Sequence, residues 1–387
     1  MTRIGSLLRN RSSGSEKEKQ VSWCRIHLKP GFASPLVMLQ LVLLSFSLLS
    51  CTHAQPPAII NLPVHHTADG FRNPCLPESK RSFFRYFRMR YSGDVEYPDY
   101  EENASKVPTV KADLDQIRNP QTAPQVTWIG HATVLIQYRG IAILTDPIFS
   151  DRASPVTFLG PKRVHPPALS IEDLPKIDYV VLSHNHYDHL DLKSVRDIGS
   201  DVFWLVPLGL KKWFVNAGIK EEKVIEFDWW DKRQFDRVII SATPAQHWSS
   251  RSLWDKSETL WVSWLMQIDD FTVWYSGDTG YNPCQFREIG AAFDKIDLSL
   301  ITIGAYEPRW FMKDMHINPA EAVQIHRDIG AEYSLGIQWG TFRMTAEPIE
   351  EPPVLLKDAL MKNNIPLNKF ETVKIGETKK ILKLDGP

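Results

Sequence analysis

The chain has 387 residues, of which 43% are hydrophobic and 24% charged, and its formal net charge is −1 at pH 7. These values are typical of a globular protein that buries a large core, as one large domain or two smaller ones. A net charge this close to zero gives no electrostatic reason to expect nucleic acid as a partner. The cysteines are too few for a disulfide framework and match no zinc-knuckle spacing, and the sequence leaves open whether Cys75 and Cys284 pair.

The first 51 residues are predicted to be a secretion signal that is not part of the fold. Residues 1–30 are basic and rich in serine, and the run from Leu36 to Ser50 is almost wholly apolar. This run is shorter than the ~20 residues that a bilayer-spanning helix needs, but it fits the apolar part of a signal peptide. Because it ends Leu48-Leu49-Ser50-Cys51, which resembles a bacterial lipoprotein cleavage box, we expect export and membrane tethering through Cys51. The alternatives are a cut after Ala54, which gives a secreted protein, and an uncleaved membrane anchor.

Residues 52–125 are predicted to be a lead-in segment that packs on a domain formed by residues 126–387. Within the lead-in, the run from Lys80 to Tyr91 interleaves basic and aromatic residues. Such a run can lie on an anionic membrane surface. It fits a solvated strand or helix packed on the main domain equally well, since charge runs are usually solvated faces.

From Val126 onward the pattern predicts a domain with many strands. Short β-prone runs between 126 and 144, separated by glycine, indicate an antiparallel meander. Further strands are predicted at 178–182, 202–206, 223–227, 238–242, 261–268, 271–275, 298–303 and 333–338. Helices are predicted at 192–197, 209–216 and 319–327, the last with Asn318 as its N-cap and Pro319 in its first turn. Strands with helices between them predict an α/β fold, with two sheets packed face to face and helices outside.

A cluster of metal-competent side chains follows the apolar run Tyr179–Leu182, which is predicted to be a buried strand. His184, His186, Asp188 and His189 lie within six residues, where ligand sites of layered α/β folds collect. Without a metal, each of these groups would need its own hydrogen-bond partner. The combination suits Zn²⁺ or another borderline divalent ion and disfavours the alternative of a solvated polar loop.

Two further segments place a candidate ligand just after a predicted strand. His247 follows the strand at 238–242, and Asp278 follows the strand at 271–275. Gly277 and Gly280 flank Asp278 and permit tight backbone turns there. Each residue alone would be interpreted as an ordinary turn or hydrogen-bonding residue. They become candidate metal ligands only in combination with the histidine cluster.

The His-x-His-x-Asp-His array resembles the metallo-β-lactamase superfamily. This resemblance implies an αββα sandwich with two metal ions at one edge of the sheets. It implies the following ligands: His184, His186 and His247 on the first ion, Asp188 and His189 on the second, and Asp278 bridging both. Asn185 stands where redox di-iron members usually carry Glu, which favours hydrolysis.

The sequence departs from the superfamily pattern at one ligand position. The superfamily places a His after the last core strand, and here that position holds Gln338. An amide oxygen is neutral and a weaker donor to Zn²⁺ than an imidazole nitrogen. We therefore expect two divalent ions, with zinc as the natural candidate, and weaker binding at the second site.

Several long strings resemble a narrower family, the N-acyl-phosphatidylethanolamine-hydrolysing phospholipase D family. The resemblance runs from about Asn73 to about Thr378. The strings are 128–133, 145–150, 160–163, 206–209, 227–230 and 303–312. The resemblance implies zinc-dependent cleavage of the phosphodiester between phosphatidic acid and N-acylethanolamine, with a phospholipid substrate and a membrane surface as partners. The sequence leaves the oligomeric state open, including a homodimer.

Roles can be assigned on this basis. Asp188 is expected to orient and deprotonate the attacking water, and His316, which matches a catalytic histidine of the family, to protonate the leaving alkoxide. His131 is interpreted as a structural turn residue, with a supporting role beside the metal ligands as the alternative. Aromatic residues are candidates for the walls of an acyl-chain groove: Tyr187, Trp229, Trp230, Trp310 and Phe311.

Two other functions fit the sequence. One is hydrolysis of a small soluble ester, lactone or cyclic phosphate, which would need no lipid interface. The other is a tethered binding protein whose metal centre is impaired by Gln338.

Overall fold

The computed structural model describes residues 62–76, 85, 88–89, 92–93, 95–100 and 102–382. The predicted signal segment with Cys51, and most of the run from Lys80 to Tyr91, lie outside these residues. The chain from Leu62 onward forms one compact unit. Among the described residues, no helix combines the length and apolar character that crossing a membrane requires.

The chain enters the unit through a small hairpin, β1 (His66–Thr67) and β2 (Gly70–Phe71). The first large sheet then contains β3 (Gln125–Gly130), β4 (Thr133–Tyr138), β5 (Ile141–Thr145), β6 (Tyr179–Val181), β7 (Phe203–Pro207), β8 (Val224–Phe227) and β16 (Thr378–Lys380). Its order is β16-β3-β4-β5-β6-β7-β8. The predicted meander is confirmed, because β3, β4 and β5 pair antiparallel, and β5 to β8 then run parallel.

The second large sheet follows in the chain. It contains β9 (Lys232–Phe235), β10 (Val238–Thr243), β11 (Ser263–Ile268), β12 (Phe271–Tyr275), β13 (Leu298–Thr302), β14 (Ser334–Ile337) and β15 (Phe370–Thr372). Its order is β15-β14-β13-β12-β11-β10-β9. Strands β9 to β12 pair antiparallel and β12 to β15 pair parallel, so both sheets are mixed.

Helices cover the sheets. They are α1 (Leu114–Arg118), α2 (Leu192–Ile198), α3 (Lys211–Ala217), α4 (Pro283–Ala292), α5 (Arg309–Met312), α6 (Pro319–Asp328) and α7 (Glu351–Lys362). Val134 of β4 belongs to the large buried cluster that includes second-sheet residues such as Ile240, whereas Leu135 packs in a second cluster with Ile117 of α1 and Val195 of α2. Successive side chains of a strand point to opposite faces, so the first sheet lies between the second sheet and helices. The predicted αββα sandwich is confirmed.

Elements with strong local signals lie close to where the sequence predicts them. Helix α6 begins at Pro319 because the Asn318 side chain accepts a hydrogen bond from the Glu321 backbone N–H at 2.9 Å, in a reciprocal capping box. Helices α1, α4, α5 and α7 and strands β1, β2, β9, β15 and β16 are not among the predicted elements. Helices α4 and α7 carry proline in the first turn, which is tolerated there although it interrupts a helical pattern. Strand β9 is charged and largely exposed, as edge strands commonly are.

A disulfide ties the lead-in segment to the domain. Cys75 and Cys284 are bonded, with their Cα atoms 6.5 Å apart and a sequence separation of 209. Cys284 lies in the first turn of α4, whereas Cys75 lies just after the β1–β2 hairpin. The bond therefore fixes the start of the described chain onto the second half of the fold.

Removal of this bond should destabilise the protein. Cross-links that close long loops stabilise chiefly by restricting the unfolded chain, so we expect Cys284→Ser to lower the free energy of unfolding by about 2–5 kcal/mol. Chemical denaturation without reductant measures this difference. Under reductant, wild type and Cys284→Ser should unfold at similar denaturant concentrations. A wild type whose stability is the same with and without reductant would contradict the bond.

Candidate metal centre

The predicted ligands meet at one edge of the sandwich. Strands β5 to β8 are parallel in the first sheet, and β10 has the same direction as β12 because both are antiparallel to β11. Each sheet thus presents several strand carboxyl ends together. His184 follows β6 and Asp278 follows β12, and their Nε2 and Oδ2 atoms lie 3.9 Å apart. The two edges therefore coincide at a single centre.

Imidazoles converge on one side of this centre. His186 Nδ1 lies 2.9 Å from His184 Nε2 and 3.2 Å from His247 Nε2. Asp278 Oδ2 lies 3.9 Å from His184 Nε2 and 3.8 Å from His247 Nε2. Desolvation lowers the pKa of His186 to about 4 and holds the pKa values of His184 and His247 well below the ordinary value. These rings are neutral at physiological pH, as a metal ligand must be.

A second group shares Asp278 with the first. His189 Nε2 lies 3.2 Å from Asp278 Oδ2 and 3.3 Å from Asp188 Oδ2. His131 Nε2 lies 3.0 Å from the same Asp188 oxygen. The structure thus brings all predicted ligands together, and Asp278 lies between the two groups, as a bridging carboxylate would. His131, Asp188 and His189 each offer a ligand atom within 4.8 Å of the others.

The unpaired polar atoms of the centre fit divalent cations. Among the described residues, these buried atoms have no hydrogen-bond partner: His189 Nε2, Asp278 Oδ1, Asp278 Oδ2 and Gln338 Oε1. A buried polar group without a partner costs about 1–3 kcal/mol, so four such atoms would be hard to sustain. Coordination of a cation would remove that cost. Imidazole nitrogens with carboxylate oxygens form the donor set of catalytic zinc sites.

Asp146 orients His189, although it is not among the ligands predicted from the sequence. Its Oδ2 atom accepts hydrogen bonds from His189 Nδ1 at 2.5 Å and Tyr275 Oη at 2.6 Å, and its Oδ1 accepts from the Ser183 N–H at 2.7 Å. Bonding at Nδ1 turns His189 Nε2 toward Asp188 and Asp278. Burial opposes protonation of His189, but the surrounding carboxylates outweigh it and raise its pKa well above the ordinary value. Like the predicted ligands, Asp146 directly follows a strand, which is the signal that could have found it.

Arg251 fixes the loop that carries His184, His186 and His189, named the histidine loop. Its Nη1 atom donates to the carbonyl oxygens of Asn185 at 2.7 Å and Leu190 at 2.8 Å. Its guanidinium lies 4.0 Å from the centre of the Tyr187 ring, and Tyr187 Oη donates to the Arg251 carbonyl. Both ends of the loop are fixed by one side chain, and no local pattern marks this distant arginine.

Gly277 is required where the end of β12 approaches Ser183, which precedes His184. Its φ is +54°, and a Cβ atom there would lie 2.6 Å from the Ser183 Cβ atom. Only glycine fits this conformation and this approach. The close approach brings Asp278 beside the loop that carries His184.

His131 combines the turn and the supporting role beside the metal ligands, which the sequence leaves as alternatives. Its φ of +52° does fit a turn, yet the ring is buried and contacts Asp188. Its carbonyl accepts the Gln338 N–H at 3.0 Å, and Gln338 has a φ of +60°. Gln338 is thus held at the edge where the superfamily places its last histidine, and its side-chain oxygen has no hydrogen-bond partner within the described part of the chain.

His316 lies beside the bridging carboxylate. Its Nδ1 atom is 3.8 Å from Asp278 Oδ2, and its side chain is 14% exposed, so a substrate can reach it. Arg309 fixes this segment, because Nη1 donates to the His316 carbonyl at 2.9 Å and Nη2 pairs with Glu321 at 2.7 Å.

One predicted groove residue is wrong. Trp229 is only 7% exposed, its Nε1 donates to the Trp261 carbonyl at 2.7 Å, and its ring stacks on His65. A side chain enclosed in this way offers no face to a substrate. Trp230 and Trp310 are exposed, and Tyr187 and Phe311 are partly exposed.

Comparisons with known proteins agree with this geometry. A family model described as a beta-lactamase superfamily domain matches residues 142–339. The chain is 43% identical over 263 residues to N-acyl-phosphatidylethanolamine-hydrolyzing phospholipase D 1 of Caenorhabditis elegans, covering 65% of this chain and 74% of that protein. It is 41% identical over 234 residues to the mitochondrial N-acyl-phosphatidylethanolamine-hydrolyzing phospholipase D of Saccharomyces cerevisiae, covering 58% of this chain and 49% of that protein.

Solved structures support the fold. The isothiocyanate hydrolase from Delia radicum gut bacteria superposes with a TM-score of 0.54 at 18% identity, covering 66% of this chain and 98% of that one. A possible metal-dependent hydrolase from Veillonella parvula gives the same TM-score of 0.54. The fold, the matched family model and the sequence identity lead to one assignment: this chain is a metal-dependent hydrolase that belongs to the N-acyl-phosphatidylethanolamine-hydrolysing phospholipase D family of the metallo-β-lactamase superfamily.

Proposed function

We propose that this protein is a zinc-dependent phosphodiesterase of the phospholipase D type, which cleaves N-acyl-phosphatidylethanolamine into N-acylethanolamine and phosphatidic acid. The observation that carries the proposal is the placement of His316 beside Asp278, the carboxylate shared by the two ligand groups. The relatives from worm and yeast bear this activity in their names, at 43% and 41% identity.

Two ions are assigned to the centre in this proposal. His184, His186 and His247 would hold the first, Asp188 and His189 would hold the second, and Asp278 would contribute to both. When bound, such a pair supplies an activated water for attack on phosphorus and neutralises charge on the phosphoryl oxygens.

Asp188 and His316 then have different roles. Burial acts to raise the pKa of Asp188, but His189 and His131 outweigh it and hold that pKa well below its ordinary value. A carboxylate that stays ionised is suited to orienting a donor such as the attacking water. His316 is the general acid that protonates the leaving alkoxide, since its ring is accessible and close to the shared carboxylate. Arg309 acts as a positioning residue through the His316 backbone.

Exposed apolar side chains near the centre support a lipid substrate at a membrane surface. Leu253 and Trp254 lie in a loop that begins soon after His247, and the neighbouring Ser250 N–H donates to the Asn185 side chain at 2.8 Å. Phe158 and Leu159 lie in the loop that follows β5 and are also largely exposed. Exposed apolar side chains in loops that follow strand ends favour an interface with lipid.

Product analysis tests the regiochemistry. With a defined N-acylated phosphatidylethanolamine, we expect N-acylethanolamine and phosphatidic acid by mass spectrometry. The His184→Ala, His186→Ala double variant should lose the activity, because the first ion loses two of its imidazoles. Diacylglycerol or free fatty acid as the product would show cleavage of a different bond. Turnover of soluble esters, lactones or cyclic phosphates in place of the lipid would favour the soluble-substrate alternative.

The metal content tests the effect of Gln338. Loss of one good ligand should weaken the second site strongly, since changes around a metal site alone cost roughly 10–100-fold in affinity. The isolated protein should carry between one and two ions per chain by elemental analysis and gain activity on added Zn²⁺. Gln338→His should approach two ions and depend less on added metal.

A matched control is Gln338→Asn, because asparagine tolerates the positive φ of this position. It should not gain metal. A wild type that keeps two ions after dialysis against a mild chelator would contradict uneven binding, and would mean that the Gln338 amide oxygen or His131 completes the site.

Export and tethering through Cys51 is the expected location. The Cys75–Cys284 disulfide supports an oxidising compartment. One acyl chain binds membranes only marginally, so stable tethering needs additional chains or a second signal such as the basic-aromatic run at 80–91. Intact-mass analysis of protein from a secreting host should show a lipidated N-terminal Cys51, and Cys51→Ala should abolish the lipid. An unmodified N-terminus at Gln55 would indicate a secreted protein.

A further inference from the structure

A second cluster of metal-competent side chains lies outside the centre. His65 and His66, at the start of the β1–β2 hairpin, both face Asp228, which follows β8. His65 Nε2 is 2.6 Å from Asp228 Oδ1, and His66 Nε2 is 2.7 Å from Asp228 Oδ2. The three residues each offer a ligand atom within 4.8 Å of the other two. None of them is a ligand of the centre described above.

The donor set and its spacing suit a borderline divalent ion. Two imidazole nitrogens and one carboxylate oxygen are a common set for zinc. With bonds of about 2.0–2.2 Å, ligand atoms around tetrahedral zinc lie roughly 3.4 Å apart. The observed contacts of 2.6 and 2.7 Å would therefore need to open by less than about 1 Å.

The surroundings hold these side chains in place. The His65 ring stacks on Trp229 with centroids 4.2 Å apart, and Phe71 lies against His66 with centroids 5.0 Å apart. The backbone N–H of Trp229 donates to Asp228 Oδ1 at 2.8 Å and fixes the carboxylate. Such supporting contacts orient ligands before an ion arrives.

Access is available from one side. The side chain of His65 is 5% exposed, whereas those of His66 and Asp228 are 18% and 20% exposed. An ion can therefore enter from the side of His66 and Asp228, and water can occupy the remaining coordination positions.

We propose that His65, His66 and Asp228 form a second, structural site for zinc or a similar divalent ion. This site, named the clasp, holds the β1–β2 hairpin against the first sheet. The site is independent of the proposed lipid hydrolysis.

The clasp has a connection to the catalytic edge. Beyond the hairpin, the Asn73 side chain donates to the His247 carbonyl at 2.8 Å and accepts from Trp261 Nε1 at 3.2 Å. The Phe71 N–H donates to the Ser257 carbonyl at 2.9 Å. An ion bound at the clasp thus restrains the segment that supports the backbone of a ligand of the main centre.

Zinc titration of the full-length, chelator-treated protein against a competing chromophoric chelator tests the site. Wild type should bind one equivalent more than either His66→Ala or Asp228→Asn. The matched control is His165→Ala, which removes a partly buried histidine whose Nε2 contacts the Ala104 carbonyl and should bind as wild type does. Zinc should also raise the thermal midpoint more in wild type than in the clasp variants.

Equal zinc stoichiometry in wild type, His66→Ala and Asp228→Asn would overturn the proposal and leave a purely hydrogen-bonded clasp. Asp228→Asn keeps the shape of the side chain, so it remains a test if His66→Ala does not fold. Anomalous diffraction from wild-type crystals grown with zinc gives an independent readout. A peak between His65 Nε2, His66 Nε2 and Asp228 is expected, and ordered density at the main centre alone would overturn the site.

Discussion

The carboxylate of Asp146 accepts hydrogen bonds from Ser183, His189 and Tyr275, and so joins the end of β5 to the histidine loop and to the second sheet. A buried carboxylate is costly unless its hydrogen bonds are made, and hydrogen bonds to charged groups contribute about 1.5–3 kcal/mol each. Loss of this carboxylate would also leave its buried donors unpaired. The sandwich and the metal centre therefore depend on the same contact, and neither can adjust without the other.

Other hydrogen bonds between the two sheets also fix the strand end that carries the metal ligands. The Trp264 Nε1 atom donates to the Leu182 carbonyl at 2.9 Å, and the Val262 N–H donates to the Ser183 carbonyl at 2.9 Å. Both reach from β11 or the residues just before it to the strand end that precedes His184. Ligands fixed on strand ends vary little in position, which favours a tight metal geometry over one that adapts to the ion. Because the backbone at this strand end is held in position, Gln338 in place of a histidine changes the donor atom but not where the side chain begins.

The parts of this architecture that could be predicted are those with local signals. Apolar runs marked most strands, Asn318 and Pro319 marked α6, and the clustered histidines marked the centre, because each signal lies within a few residues. Contacts between distant residues could not be predicted in this way. Arg251 holds a loop more than sixty residues upstream, as the separation of 66 residues from Asn185 shows, and Asp228 meets His65 across 163 residues.

The error at Trp229 has the same origin. The sequence pattern of two adjacent tryptophans fits a surface groove as well as a buried core. Which of the two applies depends on the residues that contact each ring in the folded protein. Here His65, from the start of the described chain, covers the indole ring. Without that tertiary contact no pattern within 227–230 distinguishes the buried Trp229 from the exposed Trp230.

The pairing of β16 with β3 has a consequence for biosynthesis. Thr378 pairs with Thr127, and their hydroxyl groups are hydrogen-bonded at 2.8 Å. On the ribosome, β3 emerges about 250 residues before β16, which at 5–20 residues per second is a delay on the order of ten to fifty seconds. During that interval one side of β3 is an open strand edge, the kind of surface that pairs with other chains. Until β16 has been synthesised, the first sheet of the nascent protein therefore has an edge that can pair with other chains.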